Sequence, residues 1–184
     1  MKLKKLLLLL ILSLSVLFAN IVQPTGKTTF NVLDDDGNLI RKVDLKGKEF
    51  IVVSVREPGS DGRFYAVDRD GVVWWSGIIA SGADDYKTPS GIYTVLRKAR
   101  EYMSKKYPEE NGVDNMDFAI FFTNQGHALH MGSVNWMSHG CIHIAPKDIS
   151  VLFNWAKIGD TKIVITRKSY MPFAKKDLIK FGVK

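Results

Sequence analysis

Cysteine is almost absent from this sequence: Cys141 is the single cysteine among 184 residues. One cysteine cannot form a disulfide within the chain, so an apolar core must stabilise the fold. Hydrophobic residues make up 46% of the sequence and charged residues 24%, which is typical of a globular protein with one core. A lone thiol is most simply a small buried hydrophobe, so any chemical role for Cys141 has to be argued from its neighbours.

The sequence also lacks an apolar run that would span a bilayer comfortably, which takes about 20 residues. The longest run, residues 6–18, follows the basic segment "MKLKK" and is followed by Ala19. This is the layout of a secretory signal peptide. No cysteine follows the run, which argues against a lipoprotein. We therefore expect residues 1–19 to be removed and the mature protein to work outside the cytoplasm, in the periplasm or the cell-wall space.

The body of the chain lacks the excess of basic residues that nucleic-acid-binding proteins show. The net charge of +7 comes from the lysines of the signal segment and from the C-terminus, where six basic residues and one acidic residue follow Thr166. The remainder is nearly neutral, so the sequence predicts no nucleic-acid partner. We expect the basic tail, residues 168–184, to be a solvated terminal helix, with weak contact to the wall or a membrane surface as the alternative.

No repeat or low-complexity tract follows the signal segment, and residues 20–48 read as a polar N-terminal extension. Short runs rich in β-branched and aromatic residues come next, and they predict a largely antiparallel β domain. These runs are FIVVSV, RFYAV, GVVWWSGIIA, GIYTVL, DFAIFF and TKIVIT. The turn "NQG", residues 124–126, predicts a tight hairpin.

Two segments interrupt the strand pattern. The polar stretch from Lys98 to Met116 is long for a plain connection, as lids and binding loops often are. The stretch 146–160 predicts a helix, with Pro146 in its first turn and Gly159 at its end. Its apolar stripe consists of Ile149, Leu152, Phe153 and Ala156.

All four histidines lie close to the cysteine, between residues 127 and 143. A cysteine nucleophile needs a base within hydrogen-bond reach, a group that orients the base, and donors aimed at the oxyanion. Gly140 lets the backbone turn sharply just before Cys141, and Ser138 can tie the loop with its hydroxyl. His130 lies at the end of the preceding predicted strand. These residues alone indicate a cysteine hydrolase or acyltransferase.

A zinc site is the rival interpretation of the same residues. His139, Cys141 and His143 alternate along the chain, with His130 as a possible fourth ligand. Alternate positions of a strand rarely converge on one tetrahedral centre without a bend, and no acidic residue lies nearby to act as a base. We therefore favour the nucleophile over the metal.

The run "HMGSVNWMSHGCIHI" resembles the signature of the L,D-transpeptidase (YkuD-type) catalytic domain. Three further segments are similar to the family pattern in the same order. They are IIASGADDYKTPSGIYTV, NMDFAIFFTNQGHALHMG and SVLFNWAKIGDTKIVI. The resemblance covers about residues 50–166, and it implies a mainly β fold, a β-sandwich of mixed sheets with one short helix packed after the catalytic loop. We place the catalytic domain at residues 49–167.

The resemblance implies a role for each residue of the motif. Cys141 is the nucleophile, His130 is the general base and acid, and the backbone carbonyl of Met131 orients the imidazole. Backbone N–H groups around His139, Gly140 and Cys141 form the oxyanion hole. Ser138 and His139 shape the loop. Ser81, Thr88, Pro89 and Gly91 match scaffold positions of the family.

The family resemblance also implies the reaction and its partner. The donor substrate is a tetrapeptide stem of peptidoglycan, from which Cys141 expels D-alanine. Transfer to an amine of another stem gives a 3→3 cross-link, whereas transfer to water trims the stem, as an L,D-carboxypeptidase does. The acceptor can also be a lipoprotein. No metal or organic cofactor is implied. A non-catalytic wall-binding module with the same fold is a further alternative, which the presence of both Cys141 and His130 argues against.

The chain departs from the family pattern at three places. The loop between His130 and Cys141 has only ten residues. His143 stands where the family commonly has arginine or asparagine, which affects the choice of stem peptide. Asp117 stands where the family often has proline, a change expected to alter only the path of the chain.

The sequence does not decide the roles of two aromatic side chains near the motif. Trp136 either stacks on substrate or plugs the loop onto the core. His127 differs from His130 by an odd number of positions, so on one regular strand the two would face opposite ways. A direct catalytic role for His127 is therefore not expected.

Overall fold

A computed structural model describes residues 20–55, 62–104 and 115–182 of the chain. The predicted signal peptide, residues 1–19, lies outside the described residues, as does the middle of the predicted lid-like connection, residues 105–114. In the part of the chain that the structure describes, we find no helix with the length and apolar character needed to cross a membrane.

The described residues form two sheets and two α-helices. The smaller sheet contains β1 (Ile21–Pro24), β2 (Thr29–Leu33) and β3 (Leu39–Asp44) in that order. The remaining strands are β4 (Phe50–Val55), β5 (Gly62–Val67), β6 (Val73–Ala80), β7 (Gly91–Thr94), β8 (Arg97–Ala99), β9 (Ala119–Phe121), β10 (Ala128–Met131), β11 (Ile142–Ile144) and β12 (Lys162–Thr166). They form one nine-stranded sheet in the order β7-β12-β4-β5-β6-β11-β10-β9-β8. The mainly β fold predicted from the sequence is confirmed.

The large sheet is largely antiparallel, as the strand pattern predicted, but it is mixed, as the family resemblance implied. Two strand pairs run parallel, β12 with β4 and β10 with β11. The first of these pairs explains why "FIVVSV" is a continuous apolar run. Ile51 and Val53 face the main core, whereas Phe50 and Val52 face a second apolar cluster on the other side. A strand buried on both faces has no polar alternation.

Helix α1 (Pro146–Trp155) follows β11 and packs on the main core. Ile149, Leu152 and Ala156 of the predicted stripe are buried, as expected. The helix ends before Gly159, where the sequence had placed its end. Gly159, at φ +77°, belongs to the turn that leads to β12, and its N–H donates to the carbonyl of Val95 at 2.8 Å.

The N-terminal segment 20–48 contributes strands that the sequence analysis did not predict. Val22 and Phe30 are buried in the second apolar cluster, and the ring of Phe30 stacks on Tyr170 at a centroid distance of 6.3 Å. The strands are short and their other faces are partly exposed, with the burial alternating along β2. Such short, half-polar segments have little hydrophobic signal of their own.

Helix α2 (Met171–Phe181) forms within the predicted basic tail and packs against the second cluster along one face. Ala174, Asp177 and Leu178 are buried on that face. The Asp177 carboxylate accepts a hydrogen bond from the backbone N–H of Val73 at 3.0 Å and pairs with Lys27. The outer face, with Lys175, Lys176 and Lys180, is solvated as expected.

A pair of neighbouring substitutions tests whether α2 stabilises the domain. Leu178 is 4% exposed, so Leu178→Ala should lower the free energy of unfolding by about 2–4 kcal/mol through lost burial and a residual cavity. Ile179 is 70% exposed, so Ile179→Ala should change it by less than about 0.5 kcal/mol. Urea unfolding of both variants measures the difference. If both substitutions change the free energy of unfolding by the same small amount, the packing of α2 does not stabilise the domain.

Candidate active site

The parallel pair β10 and β11 arranges the motif residues on one face of the large sheet. His130 lies opposite His143, and Leu129 lies opposite Ile142. Leu129 and Ile142 point into the main core, so by strand alternation His130 and His143 belong to the other face. Cys141 directly precedes β11 and shares this second face with His143.

Cys141 is partly buried beside a small apolar cluster that includes Phe121 and Ala128. Its Sγ lies 3.9 Å from the carbonyl oxygen of Gly126 in the turn between β9 and β10. The parallel register pairs Leu129 with Ile142, so the residues just before them, Ala128 and Cys141, come level where β11 begins. Cys141 also packs against the cluster that contains Ala128, two positions before His130, which indicates that Cys141 and His130 lie on the same face.

Ser138 closes the loop that leads to the cysteine. Its hydroxyl donates to the carbonyl oxygen of Cys141 at 2.5 Å and accepts the N–H of Gly140 at 3.0 Å. Because Ser138 is buried, both bonds are shielded from competing water. One side chain therefore fixes the backbone on either side of the bend.

The same loop is held from outside by the segment after β6. The backbone N–H of Ser138 donates to the carbonyl of Ser81 at 2.9 Å, and the N–H of Ala83 donates back to the carbonyl of Ser138 at 3.0 Å. The segment is itself tied by the hydroxyl of Thr88, which accepts the N–H of Gly82 at 3.0 Å. Ser81 and Thr88 therefore act as scaffold.

Gly140 occupies a position that no other residue fits. Its φ of +109° lies in the region that side chains rarely adopt. A Cβ built there would lie 3.0 Å from Cδ2 and 3.1 Å from Nε2 of His127, and 3.4 Å from the carbonyl oxygen of Tyr86. Three chain segments therefore meet at the residue before Cys141.

His130 is buried and held in one orientation. Its Nδ1 lies 2.8 Å from the carbonyl oxygen of Met131. Because a carbonyl only accepts, Nδ1 carries the proton and Nε2 is left as the basic nitrogen. The pKa of His130 is lowered from 6.5 to about 4, mainly by burial and also by the charge of nearby His143, while the hydrogen bond to the Met131 carbonyl acts in the opposite direction. The imidazole is neutral at neutral pH.

The carbonyl that orients His130 is itself positioned by an unusual stretch of backbone. The N–H of Met131 donates to the carbonyl of Asp117 at 2.8 Å. Phe118 follows with φ 54°, which is rare and strained for a bulky residue. The N–H of Asp117 donates to Oδ1 of Asn115 at 2.8 Å, a bond that proline would lack. The departure at position 117 thus changes the bonding of the segment and not only its path.

Three further residues of the motif lie around this centre. The ring of His143 meets that of His130 edge to face at 4.9 Å, and its Nδ1 lies 3.0 Å from the carbonyl oxygen of Ser133. His139 is exposed and contacts Tyr86 edge to face at 4.7 Å. Trp136 is 70% exposed, so the interpretation that it plugs the loop onto the core is wrong. Its contact with substrate stays a prediction.

Among the described residues, no group of three or more histidine, cysteine, aspartate or glutamate side chains is arranged to hold a metal ion. His139 instead contacts Tyr86, whereas His143 contacts His130. His139 thus lies apart from the pair that His130 and His143 form.

His127 is the residue of the site that sequence reasoning missed. It lies before β10, so strand alternation does not determine where its ring points. The ring reaches Gly140, next to the nucleophile. The predicted hairpin turn at residues 124–126 was the signal that His127 is not a regular strand residue.

Comparison with known proteins identifies similar sequences over most of the described chain. The model of the L,D-transpeptidase catalytic domain (YkuD) matches residues 48–165. A curated relative, probable L,D-transpeptidase 3 of Mycobacterium tuberculosis, is 32% identical over 99 residues, which cover 45% of this chain and 36% of that protein. The match thus spans about a third of the relative's length.

Solved structures share the fold at low sequence identity. An L,D-transpeptidase from Stackebrandtia nassauensis has a TM-score of 0.53 at 20% identity, over 64% of this chain and 55% of that chain. An L,D-transpeptidase from M. tuberculosis has a TM-score of 0.53 at 20% identity, over 81% and 76%. The catalytic domain of an L,D-transpeptidase from Enterococcus faecium has a TM-score of 0.51 at 22% identity, over 65% and 97%.

The low pKa of His130 predicts that stability falls in mild acid. Between about pH 6.5 and pH 4 the unfolded chain binds a proton on His130 that the folded protein does not bind, so the folded state becomes less stable as pH falls. Between pH 7 and pH 4.5 this loss amounts to about 2–3 kcal/mol. Urea unfolding at both pH values should show the loss in the wild type and a smaller loss in His130→Gln. If wild type and His130→Gln lose the same free energy of unfolding, His130 is not a buried neutral imidazole in the folded protein.

Proposed function

Because this chain belongs to the L,D-transpeptidase (YkuD) family, we propose that it is an exported enzyme that remodels peptidoglycan by cysteine acyl transfer. The reaction that we propose releases D-alanine from a tetrapeptide stem and joins the remaining tripeptide to an amine of a second stem, which gives a 3→3 cross-link. The observation that carries the proposal is the packing of Cys141 against the cluster of Ala128, which lies two positions before His130 on β10.

In the first half of the reaction, His130 acts as the base. Its Nε2 is available because Nδ1 donates to the Met131 carbonyl, and the imidazole is neutral at neutral pH because its pKa is about 4. A neutral imidazole accepts the thiol proton as Sγ of Cys141 attacks the carbonyl of the third stem residue. A thioester forms when the bond to the D-alanine nitrogen breaks.

The low pKa of His130 also suits the departure of D-alanine. Once protonated, a buried imidazolium is a strong acid, because its charge is poorly solvated. It gives its proton to the leaving amine and returns to the neutral form. The same neutral base is then ready to deprotonate the acceptor, either an amine or water.

We assign the oxyanion donor to the backbone N–H of Cys141 and loop support to Gly140 and Ser138. The N–H of Gly140 already donates to the Ser138 hydroxyl, which also binds the carbonyl oxygen of Cys141. These bonds fix the peptide that precedes Gly140 and the peptide that follows Cys141, which restricts the Gly140–Cys141 peptide between them. A donor held in advance stabilises the oxyanion without reorganisation during the reaction.

Hydrolysis of the thioester is the alternative outcome, and it would make the protein an L,D-carboxypeptidase. The short loop between β10 and β11 favours access of acceptors, because only residues 132–141 are available to cover the site. Trp136 on this loop and His143 at its end are the side chains that we propose for substrate contact. The export of the protein rests on the signal-peptide pattern of residues 1–19, and wall or membrane contact of the tail rests on the outward lysines of α2.

The products of a single incubation distinguish these outcomes. Mature protein mixed with disaccharide-tetrapeptide should give 3→3-linked dimers and free D-alanine, identified by mass. Tripeptide without dimers would mean carboxypeptidase activity. Cys141→Ala should lose turnover completely, because no other thiol is present. Undiminished turnover in Cys141→Ala would exclude the proposed mechanism.

A carbapenem provides a second test that does not depend on the acceptor. Acylation by the β-lactam carbonyl should add its mass to Cys141, as intact-protein mass and peptide mapping would show. His130→Gln should slow acylation by about 10²- to 10⁴-fold through loss of the base. Ile179→Ala, on the outer face of α2, is the matched control and should react like the wild type. An adduct on any other residue would refute the assignment of the nucleophile.

A further inference from the structure

The turn between β9 and β10 contacts both the nucleophile and the residue before it. The carbonyl oxygen of Gly126 lies 3.9 Å from Sγ of Cys141. The imidazole of the next residue, His127, fills the volume that a side chain at position 140 would need, with Cδ2 at 3.0 Å and Nε2 at 3.1 Å from the position of a Cβ. His127 is therefore in direct contact with Gly140.

The imidazole of His127 is fixed from its other side. Its Nδ1 lies 2.9 Å from Oγ1 of Thr123, and the same hydroxyl oxygen accepts the backbone N–H of His127 at 3.0 Å. The ring stacks on buried Phe122 at a centroid distance of 6.2 Å and an angle of 30°. A ring held by a hydroxyl and an aromatic face has little rotamer freedom left.

Gly140 needs such a contact, because glycine has no side chain to restrict its backbone. The loop is tied on one side by Ser138, Ser81 and Ala83 through backbone and hydroxyl bonds. The backbone of residues 82–86 also approaches Gly140, since a Cβ on Gly82 would lie 2.8 Å from its Cα. The ring of His127 supplies a contact from the hairpin. Together these contacts leave the peptide between Gly140 and Cys141 little room to rotate.

We propose that His127 is a positioning residue, whose Thr123-held imidazole packs against Gly140 and fixes the direction of the Cys141 N–H toward the oxyanion. This inference rests on the proposed function, since only an acyl-transfer reaction develops an oxyanion there. It assigns no proton transfer to His127, which acts through the Gly140–Cys141 peptide.

Two reactions of the same thiol separate this role from a general effect on the site. Carbapenem acylation passes through a tetrahedral oxyanion, whereas alkylation of Cys141 by iodoacetamide does not. His127→Ala should slow acylation by about 10- to 100-fold, because the donor is no longer aimed at the oxyanion. Alkylation should stay within about twofold of the wild-type rate, since it needs only the thiolate.

Thr123 provides a matched pair of variants that leave the imidazole in place. Thr123→Val removes the hydroxyl that holds the ring and should also slow acylation selectively. Thr123→Ser keeps the hydroxyl and should restore the wild-type ratio of acylation to alkylation. If His127 acts through this hydroxyl, the effects of His127→Ala and Thr123→Val should not add in the double variant. Thermal unfolding checks that each variant is folded. If His127→Ala does not fold, the acylation and alkylation rates of Thr123→Val test the proposal in its place.

Specific outcomes would overturn the inference. If folded His127→Ala and Thr123→Val are acylated at the wild-type rate, His127 has no positioning role. A parallel fall of acylation and alkylation would show that His127 acts on the thiol or on the fold and not on the oxyanion donor. Wild-type protein that forms no carbapenem adduct would contradict the proposed function itself, which distinguishes that failure from a failure of the role of His127.

Discussion

The parallel pairing of β10 with β11 is the constraint on which the candidate site depends. It places His130 opposite His143 and brings Cys141 level with the start of β10. Parallel neighbours need a crossover that carries the chain back to its starting edge, usually a dozen residues or more. Here the return is made by residues 132–141 alone. So short a crossover forces a sharp bend at its end, which is where Gly140 adopts a positive φ and where Ser138 ties the backbone. The backbone geometry around Cys141 follows from the shortness of this crossover.

Burial of His130 links the stability of the site to its chemistry. A histidine in water would be partly charged in mild acid, whereas the sheet excludes water from His130 and holds its pKa near 4. The Met131 carbonyl keeps one proton on Nδ1, and the N–H of Met131 is held in turn by Asp117 beside the strained Phe118. A backbone carbonyl serves this purpose because only the tautomer and orientation of the ring must be fixed. A carboxylate in its place would favour the imidazolium and raise the pKa of the base.

The sequence predicted local structure well and tertiary neighbours less well. The loop before Cys141, the strands of the large sheet and helix α1 follow from short-range patterns, namely glycine and proline positions, β-branched runs and an apolar stripe. The parallel pairing of β10 could not be derived in this way, since pairing depends on where distant segments return. The strands of residues 20–48 and the inner face of α2 were missed for a related reason: each acquires an apolar environment only from the other and from strands β4, β5, β6 and β12. The contact of His127 with Gly140 could not be predicted, because His127 precedes β10 and strand alternation does not determine the direction of its ring.

The departure from the family pattern at His143 affects the neighbouring His130. The sequence suggested that its effect would be on substrate, yet its ring lies edge to face with that of His130 at 4.9 Å. A charge on His143 lowers the pKa of His130. A guanidinium at that position would be charged at every accessible pH, and it would extend beyond the neighbouring ring. An imidazole is compact enough to pack against His130 and exerts its charge only when protonated. The pKa of the buried His130 imidazole therefore depends on the charge of its neighbour in the adjacent strand.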